Sequence, residues 1–226
     1  MADWSSYSLS DFLLFSPQVY ERLFVLLNQD LWPWHLVALG FGAAALILTL
    51  RGTPSSSRAA FVIIGAAWIS VASVFFLGRY ETINWLGAYI APIAGLEGVV
   101  LILLSLAGQV GLVDPRKNRL AYSIGLAVLV CGLFLYPLFE TAFGLSFEGM
   151  QIFGLAPDPT AVATLGGVAL LSGKMRFLAA VIPAAWCVFT ALTLWTLERA
   201  DFFLAPGLLI IALMAIFLPR STDQSQ

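Results

Sequence analysis

Seven stretches of the chain, about 33–50, 60–78, 88–112, 120–139, 160–173, 177–197 and 203–219, are almost wholly apolar. Most approach the ~20 residues that an α-helix needs to cross a hydrocarbon core. Between them stand short breaks of turn chemistry: Arg51-Gly-Thr-Pro-Ser-Ser-Ser-Arg58, Asp114-Pro-Arg-Lys-Asn118 and Gly173-Lys174. Lipid offers no water to backbone N–H and C=O groups, so apolar runs of this length predict helices that bond internally. Composition agrees, with 60% hydrophobic and 11% charged residues and a mean hydropathy of +0.92, against about 25% charged in a soluble domain. The expected fold is an all-α integral membrane protein, a bundle of seven transmembrane helices. Six spans plus a re-entrant segment is the alternative, because Pro159 to Gly173 covers only roughly 22 Å of a ~30 Å core.

Charge arithmetic distinguishes the two. With alternate loops on opposite sides, one side collects Arg51, Arg58, Arg116, Lys117, Arg119, Lys174, Arg176 and Arg220, eight of the 11 basic residues. The other collects Arg22, Arg79 and Arg199 with ten acids: Asp3, Asp11, Glu21, Asp30, Glu81, Glu140, Glu148, Asp158, Glu198 and Asp201. The basic side reads as cytoplasmic, which places the N-terminus outside and the C-terminus inside and requires an odd number of spans. A re-entrant fifth stretch would leave Lys174 and Arg176 outside, against the same rule.

Residues 1–15 lack a basic n-region and contain Asp3 and Asp11, so they do not read as a cleaved signal. Ser16-Pro17 is an N-cap followed by a first-turn proline. It opens a segment to Leu31 that sets Val19, Tyr20, Leu23, Phe24 and Leu27 on one face. Such a helix lies in the membrane interface or packs its face on the bundle. The domain reading is 1–32 as an extracytoplasmic segment with this amphipathic helix, 33–219 as the bundle, and 220–226 as a short cytoplasmic tail.

Eleven scattered basic residues and a net charge of −2 give no face for a phosphate backbone, so the bilayer is the expected partner and nucleic acid is not. Cys131 and Cys187 sit inside apolar runs with no C-x-x-C pattern, as buried thiols do. A single histidine, His35, excludes a bis-histidine haem and any three-imidazole metal centre, and no zinc ligand set is present. No motif indicates a cofactor. No lysine in 203–219 supports a retinal Schiff base, no Ser-His-Asp set is evident, and no phosphate-binding glycine loop occurs, so enzymatic activity has the least support.

A few polar groups stand out against this background. Glu97 is the one carboxylate well inside an expected span, beside a stripe of Ala94, Gly98, Leu101, Ser105 and Gly108. It is read either as an ion or proton site or as a paired acid locking two helices through Arg79 or a Trp indole. Phe153-Gly-Leu-Ala-Pro-Asp158-Pro-Thr160-Ala-Val-Ala-Thr164-Leu-Gly-Gly167 starts a helix at the outer face, with Asp158 as N-cap and Pro159 as first helical residue. That N-terminus either faces a substrate, with Asp158 and Thr160 at hand, or is merely capped. Arg79 and Glu81 stand with Tyr80, Asn84 and Trp85 in an interfacial loop that serves as an anchor or a recognition site. His35, near Trp32 and Trp34, is an interfacial hydrogen-bonding residue or a sensor of external pH. Trp68 and Trp186 lie near mid-span and need partners for their indole N–H groups.

At Ser10-Asp-Phe-Leu-Leu-Phe-Ser-Pro17, Asn28-Gln-Asp-Leu-Trp-Pro33, Ile83-Asn-Trp85 and Phe153 to Gly166, the chain resembles an uncharacterised family of bacterial polytopic membrane proteins, a domain of unknown function. The resemblance implies a multi-pass protein of the bacterial inner membrane and carries over no catalytic or binding residue. A looser topological likeness is to transporters of three-plus-one-plus-three spans. Residues 33–112 and 160–219 show no matching repeat, and Pro17-Gln18 lies before the first span. Two functions are expected: a small-solute or ion transporter or channel using an intramembrane carboxylate, or a non-catalytic accessory or assembly subunit of a larger membrane complex. A homo-oligomer fits either.

Overall fold

A computed structural model describes residues 14–220. Asp3, Asp11, the start of the Ser10–Pro17 motif and the tail at 221–226 lie outside the described residues. The described part is helical, with isolated β-bridges and no strand. Its helices are α1 (Pro17–Leu31), α2 (Trp34–Arg51), α3 (Pro54–Ile83), α4 (Gly87–Leu106), α5 (Arg119–Ala142), α6 (Pro157–Ala169), α7 (Met175–Thr196) and α8 (Leu204–Phe217). Five of them, α2, α3, α4, α5 and α7, are long and apolar enough to cross a membrane, as a multi-pass protein requires. The other two apolar runs give shorter helices, 13 residues in α6 and 14 in α8.

Local sequence explains the boundaries. Ser16 accepts a hydrogen bond from Val19 N and Pro17 follows it, so α1 starts where the N-cap pattern places it. Thr53 and Ser56 form a reciprocal capping box at the head of α3, again followed by proline. α3 widens to π-helical winding over Val71–Tyr80, and α5 does so over Cys131–Leu135. The second widening lies one turn before Pro137, whose ring cannot sit against the carbonyl of Leu133 in a regular helix. The run at 88–112 does not stay helical to its end: α4 stops at Leu106, Gly108 takes φ +74°, and the chain folds back.

α6 is the hub. Every residue from Pro157 to Ala169 is buried, with α3, α5, α7 and α8 packed around it. Small residues make this possible. A Cβ on Gly132 of α5 would stand 2.2 Å from Ala163 N, and one on Gly166 of α6 would stand 2.2 Å from Leu129 N. Gly125 meets Leu170 while Gly132 meets Pro159, so α5 and α6 run antiparallel. α7 is antiparallel to α6 as well, since Arg176 bonds Ser172 O at one end and Trp186 bonds Asp158 at the other. α6 therefore runs antiparallel to both neighbours, from beside Gly132 and Trp186, near the middles of α5 and α7, to the end where α7 begins. α3 and α4 cross as closely, with Gly65 and Gly98 each lying against the other's carbonyl.

Several expectations need correction. Between α5 and α6, residues 142–144 and 146–148 are exposed, but Glu140 lies inside α5 and residues 151–156 are buried against the bundle. The helix starts at Pro157 with Ala156 as N-cap, so Asp158 lies in its first turn and Pro159 is not its first residue. Arg176 and Arg220, counted above on the basic side, are buried at the C-terminal end of α6. Arg220 Nη2 donates to Ala169 O at 2.8 Å, and Arg176 Nη1 donates to Ser172 O and Gly173 O at 3.1 and 3.2 Å. Val113 N takes Leu170 O at 2.8 Å. Two guanidiniums thus cap carbonyls that an apolar surround leaves without water, at the end where the helix dipole favours cations. α1 sets Tyr20, Leu23, Phe24 and Leu27 into the core, while Val19 is exposed. Asn28 Nδ2 ties α1 to Glu148 O and Met150 O, each at 2.8 Å.

Gly132→Leu and Gly166→Leu should each destabilise the bundle by about 3 kcal/mol or more, since backbone stands where the side chain must go. Thermal unfolding in detergent should show this as a drop of roughly 6–12 °C or as failure to fold. Gly40→Leu, at a helical position with no atom within 4 Å of its Cβ, should leave the melting temperature unchanged.

Candidate functional site

Asp158 enters the core on the first turn of α6, where the backbone dipole favours an acid. Its Oδ1 accepts from Trp186 Nε1 at 2.6 Å and Thr190 Oγ1 at 2.7 Å, both on α7. The Trp and Thr are one helical turn apart, which is why one oxygen can meet both. Oδ2 accepts from Gln151 Nε2 at 3.3 Å and, at the long limit of 3.4 Å, from Tyr136 OH of α5. Glu140, one turn beyond Tyr136, accepts from Gln151 twice: Oε2 from its backbone N at 2.9 Å and Oε1 from its side-chain Nε2 at 2.8 Å. One amide group therefore bridges two carboxyl groups. All of these side chains are buried, Glu140 completely.

The rim of this network faces the N-terminal end of α6. Arg199 and Asp201, in the turn between α7 and α8, form a two-point ion pair at 2.9 and 3.0 Å, and the Arg199 guanidinium lies 6.0 Å from the Tyr20 ring centre. Burial, and next the negative charge of Asp158, hold the Tyr20 phenol well above its usual value of 10. Tyr20 therefore meets the cluster as a neutral ring in a stack that runs through Phe24, Phe75 and Tyr80. Thr160, one turn into α6, accepts from Gly154 N at 2.8 Å and donates to Ala156 O at 2.7 Å, which fixes the turn that brings the chain into the helix. Thr164 accepts from Trp68 Nε1 at 2.8 Å. Both mid-span indoles thus find their partners on α6 or on its first turn.

Glu97 lies apart. It is buried on α4 with Ala94, Gly98, Leu101 and Ser105, in the face that crosses α3. Its Oε1 has no hydrogen-bond partner among the described residues. The locking partners expected from sequence do not reach it: Arg79 pairs with Asp30, Trp68 with Thr164 and Trp186 with Asp158. Arg79 does not pair with Glu81 either. Glu81 is exposed where α3 ends, and Asn84 and Tyr80 beside it bond each other and the Leu86 backbone. His35 is buried, with Nε2 at 3.1 Å from Asn28 Oδ1, so it braces α1 and does not stand free at the interface.

The structure thus brings Asp158 together with residues that the sequence reading left out: Glu140, Gln151, Tyr136 and Thr190. Glu140 carried a signal, since four residues, 140–143, follow 139 before the turn-forming Gly144. Gln151 carried none, because its role depends on how residues 149–156 fold inward. Trp186→Phe should cost about 1–3 kcal/mol by removing a donor from a buried acid, whereas Tyr136→Phe should cost under half as much. Thermal unfolding of both variants checks the order.

Residues 18–226 match a family of unknown function (DUF6064), nearly the full length of the chain. No curated protein and no solved structure matches. By the family match over residues 18–226, the chain belongs to the family of unknown function DUF6064.

Proposed function

We propose that this chain is a bacterial inner-membrane protein of seven spans, N-terminus out and C-terminus in, that moves a small solute or ion by way of an intramembrane carboxylate. The alternating directions of α5, α6 and α7 support counting α6 as a short span, and the basic turns at 51–58 and 114–119 support the orientation. α1, with Val19 and Leu26 exposed on its outer side, then rests at the outer interface.

The observation that carries the transport reading is Glu97. A buried carboxylate oxygen without a partner among the described residues costs several kcal/mol as a bare charge, so it is stable with a proton or a cation supplied from elsewhere. An exchangeable ion in that position, in a close helix crossing, is what coupled movement requires. Asp158 and Thr160 stand where the start of α6 faces the interior, and in this orientation Arg79 and Glu81, at the end of α3, and His35, at the start of α2, lie on the outer side. In proteoliposomes, Glu97→Gln should reduce flux of the coupled ion to background while leaving the fold intact. Flux equal to the unmodified protein would remove Glu97 from the mechanism.

One observation favours a second reading, a non-catalytic accessory or assembly subunit of a larger membrane complex. α6 fills the axis of the bundle with every residue buried, where a solute path would otherwise run. That reading expects a stoichiometric partner of different mass in native mass spectrometry with lipids retained. It also expects no flux from the purified chain.

A further inference from the structure

We propose that Glu140, Gln151 and Asp158 form a binding site for one proton, shared between the two carboxyl groups through the Gln151 side-chain amide. Its role as a coupling site rests on the transport reading above; its existence rests on the geometry and charge of the cluster.

The donors fix most of the oxygens. An indole N–H and a backbone N–H can only donate, so Asp158 Oδ1 accepts from Trp186 and Glu140 Oε2 accepts from Gln151 N in every protonation state. That leaves Asp158 Oδ2 and Glu140 Oε1, and both face the same group, the Gln151 amide, at 3.3 and 2.8 Å. With Nε2 between them, both carboxyl groups are served as anions. Gln151 Oε1 is then left buried with no partner among the described residues, although Gln151 as a whole is only 3% exposed. A partial turn of the amide about its last bond keeps Nε2 on one carboxyl group and brings Oε1 to the other. That arrangement closes only when the carboxyl oxygen facing Oε1, Asp158 Oδ2 or Glu140 Oε1, carries a hydrogen to donate to it, while the other group stays ionised and accepts from Nε2. Addition of one proton to one of these two oxygens is the whole chemical change.

Charge balance requires the same proton. The titratable groups that act on the pair from the surrounding elements are Tyr20 of α1, Tyr80 of α3, Tyr136 of α5, Cys187 of α7, and Arg199 and Asp201 of the last turn. The tyrosines and the cysteine are neutral when protonated. Arg199 is the cation of this set and is already held by Asp201 at two points. Two ionised carboxyl groups would leave two negative charges in the core with Arg199 already engaged by Asp201, whereas one proton leaves a single charge, with the donors from Trp186, Thr190, Tyr136 and Gln151 N still in place.

Infrared spectroscopy of the full chain in lipid nanodiscs tests this directly, because it reads an un-ionised carboxyl C=O whether or not the protein transports anything. At neutral pH the Glu97→Gln protein should keep one such band. Carbon-13 labelling of aspartate or of glutamate should each move part of it, because the proton is shared. Asp158→Asn or Glu140→Gln should each remove the whole band, since the remaining lone acid is fully served as an anion. Labelling aspartate in the unmodified chain gives the same reading where a variant does not fold. The proposal is overturned by absence of the band in the Glu97→Gln protein, by a band that survives both substitutions, or by its loss on adding sodium at constant pH, which would assign the site to an alkali cation. None of these results depends on flux, so failure of the transport reading would not be mistaken for failure of the proton site.

Discussion

A helix with no face toward solvent or lipid has to satisfy every backbone group and every side chain from within the protein, and α6 is that helix here. Its carbonyl end is met by Arg220, Val113 and Arg176. Its amino end carries Asp158. Along its length, Thr160 and Thr164 return their hydroxyl protons to carbonyls one turn back, and then use the same oxygens to receive Gly154 N and the Trp68 indole. The glycines and alanines between them set the distances at which α5 and its other neighbours stand. Much of what makes the bundle specific is therefore the list of what a wholly buried helix requires.

The same requirement makes the acids of this protein differ from one another. Asp158 and Glu140 are embedded in donors contributed by α5, α7 and the chain between α5 and α6, and removing them would unfasten residues 149–156 from the core. Structure and chemistry cannot be separated at that site, because the hydrogen bonds that hold the segment down are the ones that set the protonation of the pair. Glu97 sits at a helix crossing where its Oε1 receives nothing from the described residues. One location is built around a charge, and the other tolerates a group that has to find its counterpart elsewhere.

Hydropathy and turn chemistry located the helices well. The apolar runs beginning at 33, 60, 120, 177 and 203 each return as one helix, and Ser16-Pro17 marks the start of α1, although α3 begins at Pro54, inside what reads as a turn. Local pattern failed where tertiary contacts decide the outcome. Asp-Pro-Thr at 158–160 reads as a cap followed by a first turn, but Pro157 already takes that place and frees the Asp158 side chain for α7. Arg176 and Arg220 look like loop charges until the carbonyls they serve are seen. Glu140 and Gln151 occupy a stretch whose polarity suggests a surface connection, and only its path back into the bundle shows that the polar atoms face one another. The bare Glu97 was legible because a lone acid inside an apolar run is conspicuous whatever surrounds it.

The thirteen buried residues of α6 also bear on how the protein is made. A helix of that length is too short to be held in hydrocarbon by its own hydropathy, and its two ends carry groups that only later or earlier parts of the chain can satisfy. α5 has to be in place before α6 can settle against Gly125, Leu129 and Gly132, and Arg176 and Arg220, which close its far end, are synthesised after it. Membrane insertion of this chain therefore cannot proceed as a simple succession of independent spans. Its central element is seated from both sides, and the topology becomes final only when the last basic residue of the bundle arrives.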